Sequence, residues 1–295
     1  MSQGGHTITI SRGAHTVDLT DLSARGVVEF DGFGMPPVRR LTQQGPMQNG
    51  STDVGYRLDS RQIRIAVMMS AVGDQAIIDA RAALMGILRP SDSALTLQWS
   101  YGSAVREIKT HYSGGMTLPS TDWTLKNHRA VFELYAPDPA WYDAFEQSAI
   151  FAREGGGSGF VFPLMVNSAN ITFGASNISS EYTISLSDPN AWITYPTIYI
   201  TGPITNPIIT NQLTGDKLSF TGNTITAGQV VTIDTAYGAK TVYNGATNWI
   251  SKLSSDSALA TFGLAEGDNS ILVTGSSVDG STSVEMRYRI RYIGV

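Results

Sequence analysis

The sequence predicts a mainly β chain of two domains: a first domain of mixed but mostly β character with one short helix, then an antiparallel β-sandwich. Three observations carry this prediction. Apolar residues alternate with period two in many short runs, one stretch alone has helical spacing, and the composition changes near residue 150. The 295 residues exceed the needs of one small domain and can bury a substantial core.

Taken in order, Ile63, Ile65, Val67 and Met69 fall on one face of a strand with Arg64 opposite. A helix is predicted over Asp74–Leu88, where Asp74 can accept from the unpaired amides of the first turn, Ile77, Leu84 and Leu88 recur at helical spacing, and Pro90 marks the stop. Gly86 weakens that helix by about 1 kcal/mol relative to alanine. Strands follow at 95–99 and 129–135, the latter running into Ala136-Pro-Asp-Pro139, where two prolines interrupt pairing. The most flexible stretch is Glu154-Gly-Gly-Gly-Ser-Gly159, which sets the domains at 1–150 and 161–295 with a glycine-rich linker over 151–160. A long hairpin loop within one domain is the other reading of that stretch.

Beyond it, strands are predicted at 196–201, 207–211, 217–221, 229–234, 240–243, 270–274 and 281–293. Asn223, Gly228, Gly238, Gly245 and the pair Gly267-Asp268 supply turns between several of them. In the last strand Val284, Met286, Tyr288, Ile290 and Tyr292 alternate with Glu285, Arg287, Arg289 and Arg291, predicting one core face and one arginine face toward water or an acidic partner. Evenly spaced short strands over this length indicate an antiparallel sandwich.

Composition narrows the function. Only 15% of residues are charged, against roughly 25% in an ordinary globular chain, which suits turn-rich β domains or surfaces that become buried in an assembly. The net charge is −5, with 13 basic and 15 acidic residues over 1–150 and 7 and 10 over 151–295. Neither half has the excess of cations that a nucleic-acid surface uses. Cysteine is absent, which removes disulfides, thiolate metal sites and thiol nucleophiles together. The first residues lack the pattern of a secretion signal, and no apolar run reaches the roughly 20 residues needed to cross a bilayer, so no membrane insertion is expected.

No enzyme motif appears. His6, His15, His111 and His128 have no close metal-ligand spacing, and the sequence lacks a Gly-x-Ser-x-Gly elbow, a phosphate loop and a dinucleotide fingerprint. The run 155–159 lacks the lysine and the helix that a phosphate loop requires. Asp216, Asp234, Glu266, Asp268 and Glu285 are candidate carboxylates for glycoside hydrolysis, though turn and solvent-face positions account for Asp268 and Glu285 more simply. No catalytic residue, metal ligand or cofactor is assigned. Trp99, Tyr101, Trp123, Trp141, Tyr142 and Trp249 could act as glycan platforms or interface anchors, and core packing is the plainer role for most of them.

The order of several segments then points to a family. Met35-Pro-Pro-Val-Arg-Arg40, Gln44-Gly-Pro-Met-Gln-Asn-Gly50, Asp59-Ser-Arg-Gln-Ile-Arg64, Gly86-Ile-Leu-Arg-Pro90 and Phe132-Glu-Leu-Tyr-Ala-Pro-Asp-Pro-Ala-Trp141 occur in the first half. Tyr195-Pro-Thr-Ile-Tyr-Ile-Thr-Gly-Pro203, Asn206-Pro-Ile-Ile-Thr-Asn211, Gln229-Val-Val-Thr-Ile-Asp234, Leu264-Ala-Glu-Gly-Asp-Asn-Ser270 and Met286-Arg-Tyr-Arg-Ile-Arg-Tyr292 follow. In this order they resemble the distal tail proteins of long-tailed bacteriophages, which are baseplate hub components, from about residue 30 to the end. Residues 1–29 fit less well.

The resemblance implies a first domain that oligomerises into a ring, expected as a hexamer, continuing the tail tube and joining it to the tip or baseplate. It implies a galectin-like second domain that projects outward and holds receptor-binding or other baseplate proteins. The expected partners are therefore the chain itself, a tail tube protein, a tail tip or baseplate hub protein and a receptor-binding protein. The expected location is the virion tail tip, after assembly in the host cytoplasm. The strand over 62–69 and the segment around Arg39 and Arg40 become candidate ring surfaces by this resemblance, with Arg61, Arg64 and Trp141 as candidate anchors or, equally, as ordinary packing residues. The alternative function is a carbohydrate-binding module touching the host surface through Trp249, which lies in the polar context Asn244-Gly-Ala-Thr-Asn-Trp249. A polysaccharide-cleaving enzyme is the third reading.

Overall fold

The computed structural model describes residues 5–21, 25–70, 74–119, 127–152 and 177–295. By its contacts the chain forms two units, residues 1–144 with Arg291–Val295, and residues Phe145–Ile290. Most of the expected glycine-rich linker, together with Trp123, lies outside the described residues.

The first unit contains β1 (His6–Arg12), β2 (His15–Asp18), β3 (Arg25–Asp31), β4 (Val38–Gln43), β5 (Thr52–Leu58), β6 (Arg61–Ser70), α1 (Asp74–Leu88), β7 (Leu95–Tyr101), β8 (Ala104–Thr117), β9 (Asn127–Ala136) and β10 (Trp141–Asp143). Strand β8 joins two sheets. Its first half pairs with β7 from Tyr101↔Ala104 to Leu95↔Thr110 and also with β10, whereas its second half, from His111, pairs with β9. One sheet therefore runs β2-β1-β7-β8-β10 and the other β3-β6-β9-β8. A strand long enough to change partners lets two apolar faces close over one core.

That core includes Ile8, Ile10, Ile63, Ile65, Val67, Met69, Leu95, Leu97, Phe132 and Leu134, all buried. The four residues assigned to one face of the strand at 63–69 are all buried, together with Arg61 and Ala66, and Arg64 points out. Helix α1 has the predicted bounds and touches β1, β2 and β6. Ile77, Ala80, Leu84, Ile87 and Leu88 are buried; the side chain of Asp74, the expected cap, lies outside the described residues. Over Gly86 the space is open, since a Cβ built there meets nothing within 4 Å.

The second unit is an antiparallel sandwich. It contains β11 (Gln147–Ala152), β12 (Ile178–Leu186), β13 (Ala191–Trp192), β14 (Thr197–Thr201), β15 (Ile204–Asn211), β16 (Lys217–Ser219), β17 (Thr224–Ile225), β18 (Val230–Asp234), β19 (Thr241–Asn244), β20 (Thr247–Asn248), β21 (Gly267–Ser276) and β22 (Ser283–Tyr288). A six-stranded sheet in the order β11-β22-β14-β18-β19-β20 faces a five-stranded sheet built on β12-β21-β15-β16, with β17 paired to β15. Ile198, Ile200, Val231, Ile233, Val284 and Met286 from the first sheet meet Ile184, Ile209, Leu218, Ile271 and Val273 from the second. Gly202 must be glycine, because a Cβ there would lie 2.4 Å from the Thr226 carbonyl oxygen.

Two expectations change. Gly267 and Asp268 do not form a turn; they open β21 and pair with Leu186 and Ser185, because Asn269 is buried and ties the preceding loop to the strand through Ala265. The single strand expected over 281–293 is two: β22 ends at Tyr288, and Arg291–Tyr292 (β23) pairs with β10 of the first unit, Trp141 opposite Tyr292. Arg291 consequently leaves the predicted solvent face, is 7% exposed, and binds Asp138 at 3.1 Å.

Candidate assembly surface

The first unit has an unfinished edge. Among the described strands β3 pairs only with β6, and a register shift between Val27 and Glu29 leaves Val28 and Phe30 exposed by 51% and 44%. Such an edge presents unpaired amides and carbonyls to any strand that approaches. A cavity of about 380 Å³ lies beside it, lined by His6, Ile8, Thr20, Val27, Val28 and Phe30 among others. On the outer face of β6, Arg64 sits in register between Asp31 on β3 and Glu133 on β9.

Between β3 and β6 the chain leaves the sheets as a hairpin arm of β4 and β5, a separate two-stranded sheet. Neither strand has a buried residue; only Leu41, Gly55 and Leu58 are even half-covered. The tip is closed by Gln48, whose Oε1 accepts from the Gly45 amide at 2.9 Å and whose Nε2 donates to Thr52 Oγ1 at 3.0 Å. Met47 stands at that tip fully exposed with a φ of 61°. Val38, Val54 and Tyr56 are also exposed. A two-stranded hairpin with both faces uncovered by the described residues is marginal by itself.

Arg39 and Arg40 lie on the arm. Arg39 Nε is 3.2 Å from Asp59 Oδ2, Arg40 Nη1 is 3.1 Å from Asp53 Oδ2, and the Arg40 guanidinium stands 5.8 Å from the centre of the Tyr56 ring. Both side chains are about two-thirds exposed, at 68% and 65%. Exposed pairs of this kind contribute roughly 0–1 kcal/mol, so they orient the arm more than they stabilise it.

Arg61 is different in kind. It is 1% exposed and donates only to carbonyls: Nε to Pro139 at 2.9 Å, Nη1 to Gly32 at 2.7 Å and to Gly34, and Nη2 to Ile293 at 2.7 Å. Burial, which disfavours the charged form, brings its pKa down to about 10. A residue so enclosed has no surface to give a neighbour, so its expected role as a contact anchor gives way to one inside the unit. Trp141 is likewise fully buried, 5.2 Å from the Phe33 ring. Of the five candidate interface residues, Arg39, Arg40 and Arg64 stay on the surface, while Arg61 and Trp141 are internal.

Sequence reasoning assigned no role to Arg106 or Asp138, which stand near Arg61. Arg106 donates to the Gly294 carbonyl at 2.8 Å and stacks 3.7 Å over the Tyr292 ring. Asp138, which binds Arg291, also accepts from the Tyr142 hydroxyl, and burial pushes the Tyr142 phenol up to about 12, with Arg291 acting against that shift and Asp138 adding to it. The quoted segment Ala-Pro-Asp-Pro-Ala-Trp contains two of these members, Asp138 and Trp141, and was the available signal.

In the sandwich, Trp249 is partly buried, packed against the core, and its backbone amide donates to the Val242 carbonyl. Glu285 is held by Arg287 through two contacts of 2.7 and 3.0 Å, which lowers its pKa, and Asp234 accepts from the Ala236 amide. Among the described residues no group of three or more His, Asp or Glu is placed to hold a metal ion, and no helix is long and apolar enough to cross a membrane.

Comparison with known proteins follows this division. Residues 190–292 match the family model described as the siphovirus-type tail component, C-terminal domain. The fold over 97% of this chain is similar to 99% of SPP1 Dit (gp 19.1), described as a paradigm of the hub adsorption apparatus in Gram-positive infecting phages, with a TM-score of 0.62 at 12% identity. The baseplate of phage P2 in its activated conformation with Ca gives a TM-score of 0.46 at 11% identity, covering 97% of this chain and 98% of that one. Its Sr form gives 0.46 at 12%, covering 98% of each. No curated protein sequence matches the chain at a significant level.

Proposed function

We propose that this chain is a structural protein of a phage tail, closing with copies of itself into a ring that connects the tail tube to the tail tip or baseplate. The observation that carries the reading is the match of residues 190–292 to a siphovirus-type tail component. The fold likeness to SPP1 Dit over nearly the whole chain agrees with it. A hub protein works by geometry, and the surface of the first unit suits such work: among the described residues it has an edge strand without a second neighbour and an arm with neither face covered.

In a ring each copy offers one surface and receives another, so the same heterologous contact repeats and closes. The arm and the β3 edge are the two halves of that contact in this reading, with Arg39, Arg40 and Arg64 at its rim. Apolar residues supply the attraction. Of the nineteen large exposed hydrophobics among the described residues, seven fall within residues 28–56. The ring is a hexamer by the resemblance to distal tail proteins, and the same resemblance gives a tube protein above, a hub or tip protein below and a receptor-binding protein held by the sandwich. The ring would assemble in the host cytoplasm and persist in the virion tail.

Negative-stain imaging of the purified chain tests this. Rings of one diameter with a central channel are the expected result; a chain that stays monomeric with its tube and hub partners present would refute it.

A further inference from the structure

We infer that residues 291–295 are a latch that sets the root of the assembly arm, so that the arm is positioned only when the chain has returned from the second unit. The inference rests on the arm being the ring contact, and its geometry lies wholly within the first unit.

The arm leaves β3 through Gly32-Phe33-Gly34 and rejoins the sheet at Asp59, whose amide donates to the Pro37 carbonyl at 2.9 Å. On its outer side the root is tied by the pairing of Val38 with Leu58 and by Arg39 with Asp59. The carbonyls of Gly32 and Gly34 both point at one guanidinium nitrogen, Nη1 of Arg61, and the opposite nitrogen, Nη2, takes the carbonyl of Ile293. A planar guanidinium cannot satisfy one side and leave the other unchanged, because its donors are fixed in a single fork. Arg61 is therefore a positioning residue: it converts the place of the returning strand into the place of the arm root.

Four further contacts hold the latch. The Val295 amide donates to the Phe33 carbonyl at 3.2 Å, Arg106 holds Gly294 and Tyr292, and Arg291 holds Asp138. Gly294 passes so close to the root that a Cβ there would lie 3.0 Å from the Gly34 backbone. If the latch is absent, Nη2 of Arg61 loses the Ile293 carbonyl, which favours movement of the guanidinium and of the two glycine carbonyls it holds. The consequence is a control on assembly: a chain whose second unit is unfinished has residues 291–295 out of place, and its arm is not yet set for a neighbour.

Two variants of the full chain test the latch, Gly294→Val, which obstructs docking without touching Arg61, and Tyr292→Ala, which removes the surface under Arg106. Hydrogen exchange of residues 30–60 is read beside the ring fraction by native mass spectrometry. The expected result is at least tenfold faster exchange at the Gly32 and Asp59 amides and at least a tenfold loss of rings, with protection in β6 and β9 unchanged. Exchange at the root equal to wild type in both variants overturns the proposal, as does a loss of rings that leaves the root protected. Should the wild-type chain be monomeric, the ring reading fails separately, and the exchange at Gly32 and Asp59 still decides whether the latch sets the root.

Discussion

Strands β5 and β6 are separated by two residues and differ in almost everything else. Residues 52–58 bury no side chain, whereas 61–70 bury six, including Arg61. The first strand belongs to an arm with water on both faces, the second to the middle of a sheet. The difference teaches where each strand's stability comes from. Strand β6 is held by its own unit, through β3 and β9 and the apolar face beneath it. The arm has its own hydrogen bonds and a few exposed ion pairs, so its order must come largely from whatever covers it.

The arginines repeat the comparison within a few residues. Arg61 replaced by methionine leaves four carbonyls without their donor. We expect a loss on the order of 4 kcal/mol, given roughly 1–3 kcal/mol for each buried group left unsatisfied, seen as a lower urea midpoint. Ile65→Ala, under the same strand, should lose about 3 kcal/mol from its cavity and lost burial, again by urea unfolding. Arg40→Ala and Val54→Ser lie on the arm and should change monomer stability by less than about 0.5 kcal/mol, while lowering the ring fraction measured by cross-linking. Equal losses of stability at Ile65 and Val54 would erase the distinction between the two strands.

Gly86 sharpens the comparison from the other side. It is exposed like the arm, but on a helix that already has its packing face, and the space above it is open. Alanine there should stabilise the chain by about 1 kcal/mol and leave the ring fraction unchanged in the same cross-linking assay. A loss of rings would mean that the helix surface also takes part in assembly.

What the sequence disclosed follows from the same contrast. Strand β6 was legible because one face is buried and the other is not, so alternation marks it. The arm has no buried face and therefore no alternation; only the segments Met35-Pro-Pro-Val-Arg-Arg40 and Gln44-Gly-Pro-Met-Gln-Asn-Gly50 marked its place, through resemblance. Arg61 was legible in principle, since it shares the parity of Ile63 and Ile65, and period two puts it on the core face. A fully buried arginine is rare, and the resemblance alone left a contact anchor and an ordinary packing residue as equal readings of it.

The last strand misled for a different reason. Val284 and Met286 are buried in the sandwich and Tyr292 in the first unit, all with one parity, so alternation continues unbroken across a change of core. Periodicity reports that a side chain is covered and says nothing of what covers it. The partner exchange along β8 depends on which strands meet it, and the convergence of Arg61, Arg106 and Asp138 on the returning strand joins residues 153 to 232 apart, which no local pattern encodes.

The central claim is that the uncovered arm is the ring contact. Native mass spectrometry of the wild-type chain beside a Val38→Ser, Val54→Ser, Tyr56→Ser triple variant tests it most directly. A closed oligomer of one size is expected for the wild type, and for the variant a monomer whose strand β6 keeps its hydrogen-exchange protection. A variant that still closes into the same oligomer would contradict it.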